Sequence, residues 1–298
     1  MHLSTMPAPF AVALALVIPV GVPDAAAEGL RPFTLWQLKE QTPSQMMSYV
    51  IRTDAGRVIV IDGGTAGDAK HLAEVIAGLG NHVSLWFLTH PHSDHTDALV
   101  TILRDPGELR IDTIYASMPT AEWMQEHGSA AELAVYQRTC AVFAETGRTL
   151  TELELGQEIT IDGLLIEVLG IKNPEITANP VNNQSIILKL SGQGRTVLFT
   201  GDIGVEAGRK ALAGPYADRL RADYVQMAHH GQNGADEAFY RHVGATQCLW
   251  PTPLWLWEND NGGGKGSGPW RTLEVRAWMD KLPVRRHYVS CLDAELIE

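Results

Sequence analysis

The sequence contains little cysteine, and this shortage excludes a metal site built on thiolates. Three cysteines occur in 298 residues, at Cys140, Cys248 and Cys291, and their spacing does not match a cysteine-based metal motif. We predict that all three are buried free thiols. In an oxidising compartment, one disulfide with one thiol left over remains the alternative.

Positive charge is also scarce, with 23 Lys and Arg against 35 Asp and Glu and a formal net charge of −12. Nonspecific binding to nucleic acid depends on basic side chains that neutralise phosphates, so we expect no strong binding of this kind. Between residues 261 and 290, six basic residues face only two acidic ones. We interpret this stretch as a solvated helix face, and a local basic rim around a substrate site is the alternative.

Long apolar runs are absent except near the N-terminus. Residues 8–22 are almost wholly apolar, and the triplet Ala25, Ala26 and Ala27 follows. This pattern predicts a secretory signal at residues 1–27, although the segment before the apolar run lacks Lys and Arg. An uncleaved anchor or a different translation start is the alternative. We therefore expect a periplasmic or secreted protein with no stable membrane span after cleavage, and the oligomeric state stays open.

What the sequence does contain is an alternation of strand and helix patterns, which indicates an α/β fold. Each half has a β-hairpin followed by strands and helices, so we predict two packed sheets with helices outside. The region 28–298 is predicted to form one domain, with a helical insertion at about 119–147. The predicted strands are 47–53, 57–62, 82–88, 164–170, 184–190, 195–201, 223–228, 246–250 and 287–290. The predicted helices are 68–79, 96–103, 205–213, 235–243 and 270–282.

The stretch THPHSDHTDAL at residues 89–99 places four metal-binding side chains in six positions, just after an apolar strand. They are His90, His92, Asp94 and His95. Imidazole and carboxylate groups are good Zn²⁺ ligands. His90 and His92 can bind one ion, and Asp94 and His95 can turn toward a second ion as the chain enters the next helix.

Three further segments place polar side chains at the ends of predicted strands, where ligand sites in α/β sheets lie. Asp202, in TGD, can bridge two ions through its two oxygens. In AHHG we predict that His229 is a ligand and that His230 contacts substrate or orients a ligand, because neighbouring strand residues face opposite ways. Asp62, in IDGG, is predicted to hold the histidine loop rather than to bind metal.

The combination of HxHxDH, TGD and HHG, with IDGG before and NNQS between, resembles the metallo-β-lactamase fold superfamily from about residue 45 to 250. The order NNxS, LFTGD and AHHG more narrowly resembles the soluble hydrolase domain of bacterial DNA-uptake channels. The resemblance implies an αββα sandwich of two mixed β-sheets, with helices on the outer faces. It also implies one or two divalent metal ions between the sheets, Zn or Mn.

One departure from the wider family concerns a further histidine ligand, which many members have before the TGD strand. Here the only histidine between His95 and His229 is His127, in the predicted insertion. Asn182 and Asn183 occupy the region where that ligand would be sought. The narrower subgroup shares these asparagines, and the departure puts full occupancy of the His90/His92 position in question.

We therefore expect a metal-dependent hydrolase in which Asp94 orients or deprotonates a metal-activated water. His230 is the candidate acid for the leaving group. The resemblance implies a phosphodiester substrate, nucleic acid included, and a small-molecule lactone or β-lactam is the alternative. A metal-binding module without turnover is an alternative of another class, because one fold can host varied functions.

Overall fold

The computed structural model describes residues 29–297, which form two seven-stranded mixed β-sheets. In spatial order, the first sheet contains β14 (Leu296–Ile297), β1 (Phe33–Gln37), β2 (Ser48–Thr53), β3 (Val58–Asp62), β4 (His82–Leu88), β5 (Arg110–Ala116) and β6 (Leu150–Glu152). The second sheet contains β13 (Arg286–Val289), β12 (Gln247–Trp250), β11 (Tyr224–Gln226), β10 (Arg195–Phe199), β9 (Ile187–Gly192), β8 (Leu164–Gly170) and β7 (Glu158–Ile161). Both sheets combine antiparallel hairpins with parallel strands.

Side chains alternate between the two faces of each sheet, as strand geometry requires. In β3, Val58 and Val60 pack toward the outer helices, whereas Ile59 and Ile61 pack toward the other sheet. The two sheets meet in a central apolar layer in which the rings of Tyr49 and Phe199 lie edge to face, with centroids 5.0 Å apart. This layer fixes the position of one sheet against the other.

Helices cover the two outer faces. On the first sheet these are α1 (Ala69–Gly78), α2 (Ser93–Arg104), α3 (Ala121–His127) and α4 (Ala130–Glu145). On the second side these are α5 (Val205–Ala213), the single turn α6 (Ala228–Gly231), α7 (Glu237–Val243), α8 (Leu254–Trp257) and α9 (Thr272–Met279). Buried residues of α1, α2 and α4 join the core of the first sheet, and those of α7 and α9 join the core of the second. The predicted αββα sandwich is confirmed.

The element bounds differ from the sequence-based prediction in a few places. Strands β4 and β8 and helix α5 have the predicted bounds. Helix α2 begins at Ser93 rather than Thr96, because the carbonyl of His92 already accepts hydrogen bonds from the backbone N–H groups of His95 and Thr96. Asp94 and His95 therefore lie in the first turn of a helix and not in a loop. The segment predicted as a helical insertion contains α3 and α4.

Two sequence-based expectations concern the ends and the thiols of the chain. The predicted signal segment at residues 1–27 lies outside the described residues. Within residues 29–297, no helix is both long enough and apolar enough to cross a membrane.

Cys140, Cys248 and Cys291 are free thiols, of which Cys248 is buried and the other two are half-buried.

Candidate metal centre

The predicted site residues converge at one edge of the sandwich because four strands end there. Strand β3 ends at Asp62, and β4 is followed directly by Thr89 and His90. In the second sheet, Asp202 follows β10 and His230 follows the neighbouring parallel strand β11. Carboxyl ends of parallel strands meet at one edge, so each sheet contributes half of the site.

The ligating atoms of this site lie close enough to share metal ions. His95 Nε2 is 3.2 Å and His90 Nε2 is 3.9 Å from Asp202 Oδ2. His230 Nε2 is 3.1 Å from Asp94 Oδ2. Two groups result, each with its ligand atoms within 4.8 Å of one another: His90, His95 and Asp202, and Asp94, His95 and His230. The two groups share His95, and Asp202 also lies 3.6 Å from His230 Nε2.

Hydrogen bonds on the outer ring nitrogens fix how His95 and His90 face the centre. The buried Asp62 carboxylate accepts from His95 Nδ1 at 2.8 Å, from the Thr89 backbone N–H at 2.8 Å and from the Thr89 hydroxyl at 2.7 Å. Because that hydroxyl donates to Asp62, it accepts from His90 Nδ1 at 3.1 Å. In both histidines Nδ1 is therefore the nitrogen that donates outward, and Nε2 is the nitrogen that faces the centre.

His230 and His92 are fixed in the same way by groups that can only accept. His230 Nδ1 donates to the carbonyl oxygen of Pro251 at 2.8 Å, which leaves Nε2 free to face Asp94. His92 Nε2 donates to the Glu132 carboxylate at 2.9 Å, which leaves Nδ1 facing inward. Four imidazole nitrogens, one from each ring, thus point into one space at the centre.

This arrangement fits divalent cations. His90 Nε2 and His92 Nδ1 lie 2.9 Å apart, and two lone pairs at that distance repel unless a proton or a cation lies between them. His95 Nε2, His230 Nε2 and Asp202 Oδ1 are buried without a hydrogen-bond partner, although such groups are normally paired. Nitrogen and carboxylate oxygen donors in this number are the ligand set that Zn²⁺ prefers.

The electrostatics of the centre are dominated by burial and by the mutual charges of histidines and carboxylates. Burial lowers the pKa of His95, but the carboxylates of Asp202, Asp62 and Asp94 outweigh it and hold that pKa well above its usual value. Burial raises the pKa of Asp94 and of Asp202, but neighbouring imidazolium charges bring both below the usual carboxyl range. His90 differs, because burial and the charges of His95 and His92 lower its pKa. Asp94 and Asp202 are therefore ionised and ready to balance cations.

The adjacent histidines His229 and His230 lie beyond the end of a strand. Strand β11 ends at Gln226, and both histidines have left-handed backbone angles, with φ of 52° and 54°. Strand alternation therefore does not govern them. His230 joins Asp94 and His95, whereas His229 Nε2 lies 4.0 Å from Asp202 Oδ2 and outside both ligand groups. The geometry favours His230 over His229 as the partner of Asp94 and His95.

The NNQS segment and the TGD turn hold each other in place. Asn183 Oδ1 accepts from the backbone N–H of Gly204 at 2.7 Å, at the start of α5, and its Nδ2 donates to the carbonyl of Ala178 at 2.7 Å. Gly201 has φ of 53°, and a Cβ there would lie 2.9 Å from Ser185 Cβ, so only glycine fits this turn. Asn183 is thus a structural brace for the loop that carries Asp202.

Asn182 is placed differently from its neighbour. Its Nδ2 donates to Asn179 Oδ1 at 3.0 Å and lies 3.5 Å from His229 Nε2. Its Oδ1 is buried without a hydrogen-bond partner. Asn182 therefore lies beside His229 at the edge of the centre.

Sequence reasoning missed three residues that contact the predicted ligands. Glu132, on α4, binds His92, and this bond lowers the pKa of the Glu132 carboxyl to about 2. Thr89 links Asp62 to His90, and Gln45 Nε2 donates to Asp94 Oδ2 at 3.1 Å. The SAAE pattern at 129–132 does predict a helix start with Glu at its third position, but no sequence signal shows its contact with His92.

The basic stretch at 261–290 is largely paired with acidic and aromatic neighbours. Arg271 binds Glu274, Lys265 binds Glu258 and Arg286 binds Asp293. Arg276 lies over the ring of Trp257, with its guanidinium carbon 3.8 Å from the ring centroid. These contacts favour the interpretation as a solvated face.

Comparisons with known proteins address the fold directly. A family model described as "Metallo-beta-lactamase superfamily" matches residues 42–229, more than half of the chain. The metallo-beta-lactamase fold protein YhfI from Bacillus subtilis is 14% identical, with a TM-score of 0.51 over 90% of this chain and 100% of that one. Unliganded yeast PDE1 is 11% identical, with a TM-score of 0.51 over 86% of this chain and 97% of that one.

At these identities the two solved structures establish the fold alone. Among curated proteins, none matches this chain in sequence. The matched family model covers the HxHxDH loop, the TGD turn and the first histidine of the HHG turn, which are the segments that meet at the candidate centre. The chain belongs to the metallo-beta-lactamase superfamily.

Proposed function

We propose that the protein is a metal-dependent hydrolase of phosphodiesters. The observation that carries this proposal is the convergence of His90, His95 and Asp202 with Asp94 and His230 in one buried centre, with inward ligand atoms that lack partners. A fold can host several functions, so the reaction is inferred from this centre and not from the sandwich.

The centre divides into two metal positions that share Asp202. We assign Asp94, His95 and His230 to the first position, because their ligand atoms lie within 4.8 Å of one another. We assign His90 Nε2 and His92 Nδ1 to the second position, where they lie 2.9 Å apart. Asp202 Oδ2 lies 3.2 Å from His95 Nε2 and 3.9 Å from His90 Nε2, so this carboxylate would be available to ions at both positions.

We assign His229 to the side of the second position, because it lies beside the shared Asp202 and outside the group of Asp94, His95 and His230. Its Nε2 is 4.0 Å from Asp202 Oδ2 and 3.5 Å from Asn182 Nδ2. Its side chain is 17% exposed, whereas that of His230 is fully buried. His229 is therefore also better placed than His230 to meet a substrate that enters from solvent.

Bound divalent ions would supply a water that is deprotonated near neutral pH and would stabilise charge on the attacked oxygen. The protein's own contribution is orientation. Asp94 Oδ2 accepts from Gln45 Nε2 at 3.1 Å and lies 3.1 Å from His230 Nε2. Its carboxylate is thereby positioned to orient the nucleophile or to accept its proton.

Two features support a phosphodiester substrate: the order of three sequence motifs and the net charge of the metal-loaded centre. The order of NNQS, LFTGD and AHHG resembles that of the hydrolase domain of DNA-uptake channels. Asp62 and Asp202 are buried in the centre and Asp94 is 14% exposed, and two bound divalent cations would outweigh these three carboxylates by one positive charge. A net positive centre suits an anionic diester better than a neutral ester.

A substrate screen tests this function. Wild-type protein loaded with Zn²⁺ or Mn²⁺ should hydrolyse bis(p-nitrophenyl) phosphate faster than an acyl-homoserine lactone or nitrocefin. The Asp202→Asn variant serves as a matched control and should be inactive. Preferred turnover of the lactone or the β-lactam would overturn the phosphodiester assignment. Tight metal binding without turnover of any of the three would instead support a metal-binding module.

We also infer that residues 1–27 direct export to the periplasm or the medium, on the basis of the apolar run and the alanine triplet. Mass spectrometry of protein secreted by a bacterial host should then show an N-terminus at Glu28. An intact Met1 on soluble cytoplasmic protein would contradict export.

A further inference from the structure

Glu132 makes two contacts that belong to different parts of the molecule. Helix α4 begins after Ser129, whose hydroxyl accepts from the Glu132 backbone N–H at 3.3 Å. Glu132 Oε2 accepts from the Ser129 backbone N–H at 2.6 Å, which completes a capping box. The other oxygen, Oε1, accepts from His92 Nε2 at 2.9 Å. One carboxylate therefore closes a helix end and holds a predicted metal ligand.

The contact with His92 decides which ring nitrogen faces the centre. An ionised carboxylate can only accept, so His92 carries its proton on Nε2 and presents the Nδ1 lone pair to His90. Glu132 is the acidic group that contacts His92 within residues 29–297. If this acceptor were lost, His92 could place its proton on Nδ1 and could no longer bind a cation through that atom.

We propose that Glu132 is a positioning residue for His92, and that through the capping box it couples the start of helix α4 to metal occupancy of the His90/His92 position. This inference rests on the proposed role of His92 as a metal ligand. Partners of ligating histidines typically change metal affinity by about 10- to 100-fold when they are lost. Because coupling is reciprocal, ion binding at His92 should in turn protect the first turn of α4.

Three variants separate the two contacts of Glu132. Glu132→Ala removes both of them. Glu132→Gln keeps one acceptor oxygen but cannot accept from both Ser129 N–H and His92, because its amide nitrogen donates. Ser129→Ala weakens the helix cap by removing the hydroxyl, yet it leaves the Ser129 backbone N–H and the Glu132–His92 bond in place. It is therefore the matched control for a purely structural role.

The first readout is the number and affinity of bound ions, measured by titrating Zn²⁺ into apo-protein and by elemental analysis. Wild type and Ser129→Ala should bind two ions alike. Glu132→Ala and Glu132→Gln should bind the first ion normally and the second about 10- to 100-fold more weakly. Equal binding of two ions by Glu132→Ala would overturn the proposal, as would an equal loss in Ser129→Ala.

The second readout is hydrogen exchange of the amides at 130–133, with and without Zn²⁺. Added metal should increase protection there in wild type but not in Glu132→Gln, and equal protection in both would overturn the coupling. Neither readout requires turnover. Wild type that binds two ions but hydrolyses nothing would therefore defeat the proposed function alone, whereas wild type that binds no ion at His92 would defeat both.

Discussion

The two ends of the histidine cluster are anchored in different parts of the molecule. His95 donates to Asp62, at the end of the central strand β3, and both side chains are fully buried. His92 donates to Glu132, on the first turn of helix α4, and these side chains are 19% and 26% exposed. Polar contacts are stronger where water is excluded. The His95 position is therefore part of the sheet core, and the His92 position depends on a peripheral helix.

This difference predicts the order in which the two positions bind metal ions. The position of Asp94, His95 and His230 has its ligands held by Asp62, Gln45 and the Pro251 carbonyl. The position of His90 and His92 has fewer protein ligands, because the only histidine between His95 and the TGD turn is His127, at the end of helix α3. We expect the first position to bind metal more tightly, and substitutions of the residues that anchor each position test this difference.

The largest effect is expected at Asp202, because its carboxylate belongs to both positions. Asp202→Asn removes the negative charge and one acceptor oxygen from a residue that is 1% exposed. We expect loss of both ions and of hydrolysis, together with a less stable fold, because buried histidines then lose their counter-charge. Elemental analysis and thermal unfolding measure this. If Asp202→Asn retained two ions, the shared position of Asp202 would be wrong.

The second effect separates the adjacent histidines. His230→Ala should empty the Asp94/His95 position, whereas His229→Ala should leave that ion bound and weaken only the His90/His92 position. The physical reason is that His230 Nε2 lies 3.1 Å from Asp94 Oδ2 and faces the centre, while His229 lies 4.0 Å from Asp202 Oδ2. Ion counting on each variant gives the answer. The opposite pattern would restore His229 as the ligand beside Asp94 and His95.

These histidines also show how far the sequence alone could predict the centre. The clustering of His90, His92, Asp94 and His95 after a strand, and of Asp202 after another, was sufficient to predict that they meet, because carboxyl ends of strands share an edge. The sequence could not show which of His229 and His230 points inward. That depends on two consecutive left-handed backbone conformations, which are rare outside glycine.

The fold was predicted where periodicity was strong and missed where elements were short or polar. Strand β4 is a continuous apolar run, and its bounds were predicted. Strands β6 and β14 have three and two residues, which is too short for a period to be visible. Strand β5 carries Arg110 and Asp112 at exposed positions, and these interrupt its apolar pattern. Glu132 was missed because it lies 40 residues from His92 and only tertiary packing joins them.

A third prediction compares the anchor of His95 with that of His92. In Asp62→Asn, the amide oxygen can still accept from the Thr89 backbone N–H, but the amide nitrogen then faces His95 Nδ1. His95 would move its proton to Nε2 and lose its lone pair toward the centre. We expect about 100-fold weaker binding of the first ion, at the upper end of the range for such partners.

The control for this variant is Thr53→Ala, because Thr53 donates to Asp162 at 2.7 Å and does not contact the centre. Zn²⁺ titration of both proteins measures the effect. If Asp62→Asn weakened the second ion more than the first, the contrast between a core-anchored and a helix-anchored position would have to be abandoned.

The smallest effect is expected at Gln45, which supports Asp94 from outside the sheets. Its Nε2 donates to Asp94 Oδ2 at 3.1 Å, and its Oε1 accepts from Gln232 Nε2 at 2.7 Å. Gln45→Ala removes one of two contacts on Asp94 Oδ2, while His230 remains. A single hydrogen bond to a charged, partly buried group contributes about 1.5–3 kcal/mol at most, and water can replace part of it here. We therefore expect both ions to stay bound and the hydrolysis rate to fall by about 10-fold, since Asp94 is held less firmly.

Gln41→Ala is the matched control, because the Gln41 side chain donates to the carbonyl of Lys39 on the surface. Steady-state kinetics with metal-loaded protein compare the two. A Gln45→Ala variant that loses the first ion would show that Asp94 depends on this peripheral support as much as His92 depends on Glu132, and the inequality between the two positions would then disappear.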